Sequence, residues 1–389
     1  TMSFRLSSED EWKDVHTTVP FVIPKVAQSW PASLWTDHDL IENLPGTYFV
    51  RFASRTHDIG KPRFDITCDK YKLTVKEFLD WRTVPSSVLP PIESHWGYMD
   101  YLHLVEHESL KPAAAAFHWQ SILGQDYSDV EPTVWFGTTG AHSPLHYDTM
   151  GWNLHAQIRG SKLWILVPPG GPTVEEAKAR HELLGANRNP FENTTVYSDF
   201  DVLGDPSILS GIEGVRVFIL QPGDVLFVPP LWWHAVCCVD TESAPSTLSF
   251  SCNIWLSERP DILNTICEPL TEGWLEVRDE EEDACLDKIM VMIQDFRDLL
   301  ASESKSTDDD MIKSFRDHIH KLRRNGRQRY DDFQSRYSNL TVTSTSTAAE
   351  LAKIERALMG LTMVPAFSPI IDRRALRPWD IIDLVKQFF

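Results

Sequence analysis

The 389-residue sequence has no CxxC pair, and its six cysteines (Cys68, Cys237, Cys238, Cys252, Cys267 and Cys285) follow neither a disulfide framework nor a zinc-ribbon spacing. That excludes a stapled secreted scaffold and zinc-finger reader modules, and it points to a reducing compartment, the cytoplasm or the nucleus. No stretch approaches the roughly 18 consecutive apolar residues of a membrane span, and no charged-then-apolar leader opens the chain. A soluble protein that does not engage a membrane is expected, with Thr1 before Met2 reading as an appended residue. Basic charge is also scarce: 37 Lys and Arg stand against 56 Asp and Glu, a formal charge of −19. Such a chain is repelled by nucleic-acid backbones unless its basic residues cluster. The one cluster, Lys321, Arg323, Arg324, Arg327 and Arg329, lies where Gly326 caps a helix, and there cations complement the helix dipole. Nucleic acid is therefore a disfavoured partner. No internal repeat is found.

What the chain does contain is a core: 42% apolar residues and 14 tryptophans indicate a well-packed globular protein. Residues 1–130 read as a mixed α/β flank, with a strand at Thr47–Phe52 and a helix at Val75–Trp81. Between about 131 and 257 the pattern becomes short strands broken by Pro and Gly, as in a barrel or sandwich. Strands are expected at 153–158, 162–167, 215–220, 224–228, 235–239 and 247–255, with a hairpin at the Gln221-Pro222-Gly223-Asp224 turn. Residues 170–214 read as a long irregular insertion, expected to cover the barrel mouth. From 275 to 389 apolar residues recur at helical spacing (Leu286, Ile289, Ile293, Phe296, Leu300, then Ile312, Phe315, Ile319, Leu322). Thr347 and Glu350 suggest a capping box. This helical region either packs on the barrel or pairs with a second copy.

One constellation carries chemistry. In His142-Ser143-Pro144-Leu145-His146-Tyr147-Asp148, His146 and Asp148 are two apart, so on a strand both side chains leave the same face. Trp232-Trp233-His234 supplies a second imidazole at the start of a distant strand. Two imidazoles and a carboxylate leave three positions free on an octahedral iron, enough for a bidentate co-substrate and dioxygen. An H-x-D triplet alone is weak, and a core histidine bonded to backbone is the bland alternative for His234. His142 is a rival ligand, but Pro144 argues against the helix that would align it with His146. Lys162 opens a strand that is otherwise apolar (Leu163 to Val167), where an ammonium is costly unless it holds an acid. It is a candidate for binding the far carboxylate of a dicarboxylic co-substrate, against the alternative that it starts the strand and points at water. Asn153 and Asn253 could add amide hydrogen bonds. Trp152 and Trp233 are plausible pocket walls, although barrel aromatics are more often core.

Taken together, His146-Tyr147-Asp148, Ala156-Gln157-Ile158-Arg159-Gly160-Ser161-Lys162-Leu163-Trp164, Pro222 to Pro229 and Trp232-Trp233-His234 resemble the JmjC oxygenases. The likeness is to the small-hydroxylase group that contains the factor inhibiting hypoxia-inducible factor, over roughly residues 20–257. The resemblance implies a mainly β fold with flanking helices: a double-stranded β-helix (cupin, or jelly-roll) core. It implies Fe(II) held by His146, Asp148 and His234, 2-oxoglutarate and dioxygen as co-substrates, and the far carboxylate of 2-oxoglutarate on Lys162. Ser143 stands where the family has a threonine that contacts the same carboxylate. Asn153 and Asn253 match asparagines near the co-substrate, and Tyr101 matches a tyrosine there. His155 departs from the family, which carries aromatic or aliphatic residues at that position. Related hydroxylases dimerise through C-terminal helices.

The implied reaction oxidises 2-oxoglutarate to succinate and CO2 while hydroxylating a C–H bond, and the protein's part is fixed ligands and a dry cavity. A protein side chain ranks first as substrate. Histone-lysine demethylation or hydroxylation of a tRNA base ranks lower. Two rivals come from other classes: a catalytically silent cupin-fold interaction module, and a cupin metalloenzyme that uses no 2-oxoglutarate and would leave Lys162 unexplained.

Overall fold

The computed structural model describes residues 19–55, 68–84, 86–105, 108–124, 131–148, 151–170, 174–188, 195–239 and 248–256, together with Phe333, Glu350 and Lys353. Two antiparallel sheets dominate. The larger has eight strands in the order β1 (Phe21–Ile23), β12 (Val225–Val228), β7 (Trp152–Arg159), β14 (Leu248–Leu256), β5 (Thr133–Thr138), β4 (His95–His103), β2 (Thr47–Ser54) and β3 (Asp69–Thr74). The smaller has six, in the order β11 (Arg216–Leu220), β8 (Ser161–Val167), β13 (Trp233–Val239), β6 (His142–Asp148), β10 (Thr195–Ser198) and β9 (Ala186–Arg188). This is the expected mainly β architecture with a jelly-roll core. The N-terminal flank is part of it, since β2, β3 and β4 widen the larger sheet and β1 closes its other edge on β12. The helix at Val75–Trp81 starts at Thr74, whose hydroxyl accepts from the Glu77 amide while the Glu77 carboxylate accepts from the Thr74 amide.

Strand alternation sorts the side chains. On β7, Trp152, Leu154, Ala156 and Ile158 join the main core beneath the larger sheet, with Phe227 and Phe250. The intervening Asn153, His155 and Gln157 are also buried, on the face turned toward the smaller sheet. Every residue of β8 and of β13 is buried, as strands covered on both faces must be. Trp152 and Trp233 lie in the clusters behind the two sheets, so both are core.

The expected hairpin at residues 221–224 does not form. The turn is there, with Asp224 N–H donating to the Gln221 carbonyl at 3.0 Å and Gly223 at φ 94°. It hands the chain from β11 in the smaller sheet to β12 in the larger. The Arg159-Gly160-Ser161 corner makes the opposite crossing, from β7 to β8. β12 then pairs with β7 and β11 with β8, so each crossing supplies a partner for the other. Turn chemistry fixes a local change of direction and is silent on whether the flanking strands pair with each other or switch sheets.

Segment 170–214 is also more regular than its composition suggests. It holds a helix at Val174–Leu183, strands β9 and β10, and a 3-10 turn at Pro206–Leu209. β10 pairs with β6, placing Thr195 opposite Asp148 and Tyr197 opposite His146. Its Leu184, Val202, Leu203, Leu209 and Ile212 pack with Leu145, Tyr147 and Ile165 on the outer face of the smaller sheet. The described part of the segment thus clads the back of that sheet and, through β10, extends it beside His146. The helical pattern expected for 275–389 lies outside the described residues. Three residues of that range are described and meet the barrel, Lys353 through its ammonium, which donates to the Val217 carbonyl at 3.4 Å. Phe333 packs on Phe21, Trp152 and Phe227, and the buried Glu350 accepts from the Val217 amide at 2.8 Å on the edge strand β11.

Gly160 occupies φ 68°, and a Cβ there would lie 2.6 Å from the Leu248 carbonyl oxygen. Substituting Gly160→Ala forces a left-handed alanine against backbone, and should lower stability by about 1–3 kcal/mol or more in urea unfolding. An unchanged midpoint would show that the corner does not set the crossing.

Candidate metal centre and co-substrate pocket

His146 and Asp148 leave the same face of β6, and β13 places His234 directly opposite His146. One ligand atom from each of the three lies within 4.8 Å of the others. His146 Nε2 is 3.8 Å from one Asp148 carboxylate oxygen and His234 Nε2 is 3.7 Å from the other. Each Nδ1 faces a backbone carbonyl two residues earlier: His146 that of Pro144 at 2.7 Å, His234 that of Trp232 at 3.0 Å. A carbonyl only accepts, so Nδ1 carries the proton and both Nε2 lone pairs point at the centre. Burial, with His146 alongside, pushes His234 down to about 4 against the pull of Asp148, leaving it neutral and able to ligate. The Trp164 ring stacks on His234 at 5.5 Å and Tyr197 on His146 at 5.6 Å, fixing both imidazole planes. Among the described residues no other three His, Cys, Asp or Glu side chains converge in this way. His142 stays outside the group, its Nδ1 on the Gly140 carbonyl at 2.9 Å.

A relay of side-chain hydrogen bonds orients the carboxylate. Trp135 Nε1 donates to Asn253 Oδ1 at 2.7 Å, Asn253 Nδ2 to Asn153 Oδ1 at 3.1 Å, and Asn153 Nδ2 reaches Asp148 Oδ2 at 3.5 Å. Trp255 Nε1 donates to the same oxygen at 2.8 Å. Asn153 and Asn253 are therefore brought together, bonded to each other, to Trp135 and to the aspartate.

Lys162 is 1% exposed and points between the sheets. Its ammonium donates to Ser251 Oγ at 2.8 Å and lies 5.6 Å from the centre of the Tyr98 ring and 6.0 Å from that of Trp135. No carboxylate among the described residues meets it. Burial pushes it down to about 8 from 10.5. Tyr98 is the tyrosine at this site: burial pushes its phenol up, and Ser143 beside it opposes that push. Ser143 and His146 are three apart, so strict alternation would part them. A register shift between His234 and Val236 returns Ser143 to the inner face, opposite Val236. Another shift, between Met99 and Leu102, carries Tyr101 the other way. It sits at φ 53°, 41% exposed, its ring 4.5 Å from Trp135 and 6.5 Å from Trp255. Where the sequence reading expects Tyr101, the structure thus has Tyr98. A narrow cleft opens over Asp148, Asn153 and His234 between Val228 and Trp232.

Trp255 and Ser251 were missed in the sequence, although a signal existed. They alternate with Asn253 on β14, so any argument that turns Asn253 inward turns them inward too.

Residues 9–262 match the cupin-like domain family. The chain belongs to that family, and its relatives place it with the JmjC proteins. It is 31% identical to HSPB1-associated protein 1 of Bos taurus over 266 residues, which is 65% of this chain and 51% of that protein. It is 32% identical to the HSPB1-associated protein 1 homolog of Danio rerio over 267 residues, 65% of this chain and 55% of the relative. Jumonji C domain-containing protein 5 of Drosophila melanogaster matches at 28% over 248 residues, 61% and 54% of the two chains. The chain spans about half the length of these curated relatives. No helix among the described residues is long and apolar enough to cross a membrane.

If the relay positions Asp148, replacing Asn253 by Ala should weaken Mn(II) binding about 10- to 100-fold in calorimetry, as loss of groups that orient metal ligands does. Wild-type affinity in that variant would leave the relay without a role at the centre.

Proposed function

We propose that this protein is an Fe(II)- and 2-oxoglutarate-dependent dioxygenase that hydroxylates a side chain of another protein and releases succinate and CO2. The observation that carries this reading is the pairing of a preoriented His-Asp-His triad with a buried ammonium that meets no carboxylate among the described residues. The donor set suits Fe(II): two imidazole nitrogens and one carboxylate, with a cleft beside them. His146, Asp148 and His234 would hold the metal, and Lys162 the far carboxylate of 2-oxoglutarate, with Ser251, Ser143 and Tyr98 around it. When bound, iron and 2-oxoglutarate supply the oxidising equivalents that turn a C–H bond and dioxygen into an alcohol.

The chain's own residues do the positioning. Trp255, Asn153 and Asn253 hold the Asp148 carboxylate in one orientation, and Trp164 and Tyr197 do the same for the imidazoles. The Leu226, Val228 and Val236 side chains line the interior and keep water from the oxidising centre. A protein as substrate is supported by the acidic balance of the chain and by relatives named for association with another protein, HSPB1. A relative at 26% identity is named lysine-specific demethylase 8, of Danio rerio. Demethylation begins with the same hydroxylation, at a carbon bound to nitrogen, so a substrate screen should read formaldehyde as well as added oxygen. The cysteine pattern of the sequence supports placing the protein in the cytoplasm or nucleus. Pairing of two copies through the C-terminal region is an arrangement for solution sizing to test.

Iron-loaded wild type, mixed anaerobically with 2-oxoglutarate and then exposed to air, should form succinate, and His146→Ala and Lys162→Ala should reduce this by at least about 100-fold. No turnover and no metal retained by wild type would leave an interaction module instead.

Lys162 also sets a pH dependence. Its folded pKa lies below the unfolded one, so the penalty for burying the ammonium is complete below about pH 8 and disappears as the pH rises toward 10.5. Dicarboxylate binding needs the charged form, so 2-oxoglutarate affinity for the Mn(II) protein should be constant below pH 8 and weaken up to about tenfold per unit above it. Lys162→Met should abolish that binding yet stabilise the ligand-free protein at neutral pH by about 1–3 kcal/mol, because the buried charge is gone. Equal affinity at pH 7 and pH 10 in wild type would remove Lys162 from the pocket.

A further inference from the structure

His155 is buried, 4% exposed, and its Nε2 has no hydrogen-bond partner among the described residues. It faces inward from β7 two residues beyond Asn153, in register with Asn253 of β14 on one side and Leu226 of β12 on the other. Its ring meets Trp164 edge-on at 4.8 Å, and Trp164 in turn stacks on His234. The next inward residue of β14 after Asn253 is Ser251, which holds the Lys162 ammonium. His155 thus stands between the metal triad and Lys162. Burial first, then Lys162 and His234, hold it well below its ordinary range against the upward pull of the Gln157 side chain, so the ring is neutral with one N–H to give. An unpaired ring nitrogen in a dry interior is costly, and a leucine would fill the space without that cost.

We propose that His155 Nε2–H donates a hydrogen bond to a carboxylate oxygen of the 2-oxo diacid that spans the pocket from the metal to Lys162, making His155 a co-substrate-binding residue. The inference rests on the oxygenase reading. A fully ionised diacid offers only acceptors, so the bond requires the proton on Nε2, and a neutral ring can supply it. The lysine then anchors one end, the metal the other, and His155 fixes the path between them.

The test is calorimetric titration of 2-oxoglutarate into the Mn(II)-loaded full chain, comparing wild type with His155→Leu, His155→Gln and Lys162→Met. Mn(II) affinity and the ligand-free melting temperature are recorded for each. His155→Leu should raise the 2-oxoglutarate Kd about 10-fold or more, as loss of a hydrogen bond to a charged group does. Mn(II) affinity should not change, and the ligand-free melting temperature should hold or rise. His155→Gln, whose amide can donate, should recover most of the affinity. Wild-type affinity in His155→Leu alongside loss in Lys162→Met would overturn this inference and leave the oxygenase reading standing. A parallel loss of Mn(II) binding in His155→Leu would also overturn it, marking His155 as a support of the fold. Failure of wild type to bind 2-oxoglutarate at all would overturn both.

Discussion

A buried cation that meets no carboxylate among the described residues is the constraint around which this barrel is arranged. Lys162 lies between two sheets with one serine hydroxyl and two aromatic faces for company. The chain therefore carries a standing electrostatic debt that an anionic ligand would offset. The polar residues of the interior are grouped to suit such a ligand. Asn153, His155 and Gln157 on β7, Ser249, Ser251 and Asn253 on β14, and His146 and His234 on the facing sheet form one buried polar stripe. Apolar clusters bound it: Trp164, Leu226 and Val228 on one side, Trp96 and Cys238 on the other. Nearly everything else in the fold keeps that stripe dry and its members in place.

The two sheet-switching corners make the stripe possible. If residues 152–167 had folded as a hairpin, Asn153 and Lys162 would lie in one sheet, and their side chains could not meet across an interior. Because Gly160 accepts a left-handed backbone close against Leu248, β7 and β8 face each other, and the odd residues of one strand look at the even residues of the next. Gly137 has a related part. A Cβ there would lie 2.7 Å from Cys238 Sγ and 3.1 Å from the Tyr98 ring, so a glycine lets β4, β5 and β13 close around Lys162.

Much of this is legible in the sequence, and the limits have physical causes. Period-two alternation is enough to turn His146 and Asp148 the same way, and an apolar strand interrupted by one lysine is enough to draw attention to Lys162. Turn composition locates the corners, yet it cannot say that strands part there, because sheet partners are chosen by long-range pairing. The places of Tyr101 and Ser143 depend on register shifts, which move a side chain from one face to the other and leave no mark in residue type. The regular structure within 170–214 is hidden for a similar reason: β10 and the edge strand β9 are short and gain their order from β6, β10 by pairing with it and β9 by pairing with β10. Trp255 escaped attention because a tryptophan in a barrel reads as core, whereas here its indole N–H is bonded to Asp148.

The central claim is that one metal and one dicarboxylate share this interior. The most direct measurement is diffraction from crystals grown with Mn(II) and 2-oxoglutarate, using the anomalous signal of manganese. A single strong peak is expected between His146, Asp148 and His234, with diacid density running from it to the Lys162 ammonium. A peak elsewhere, or a metal-free triad with Lys162 still bonded to Ser251 alone, would contradict that claim.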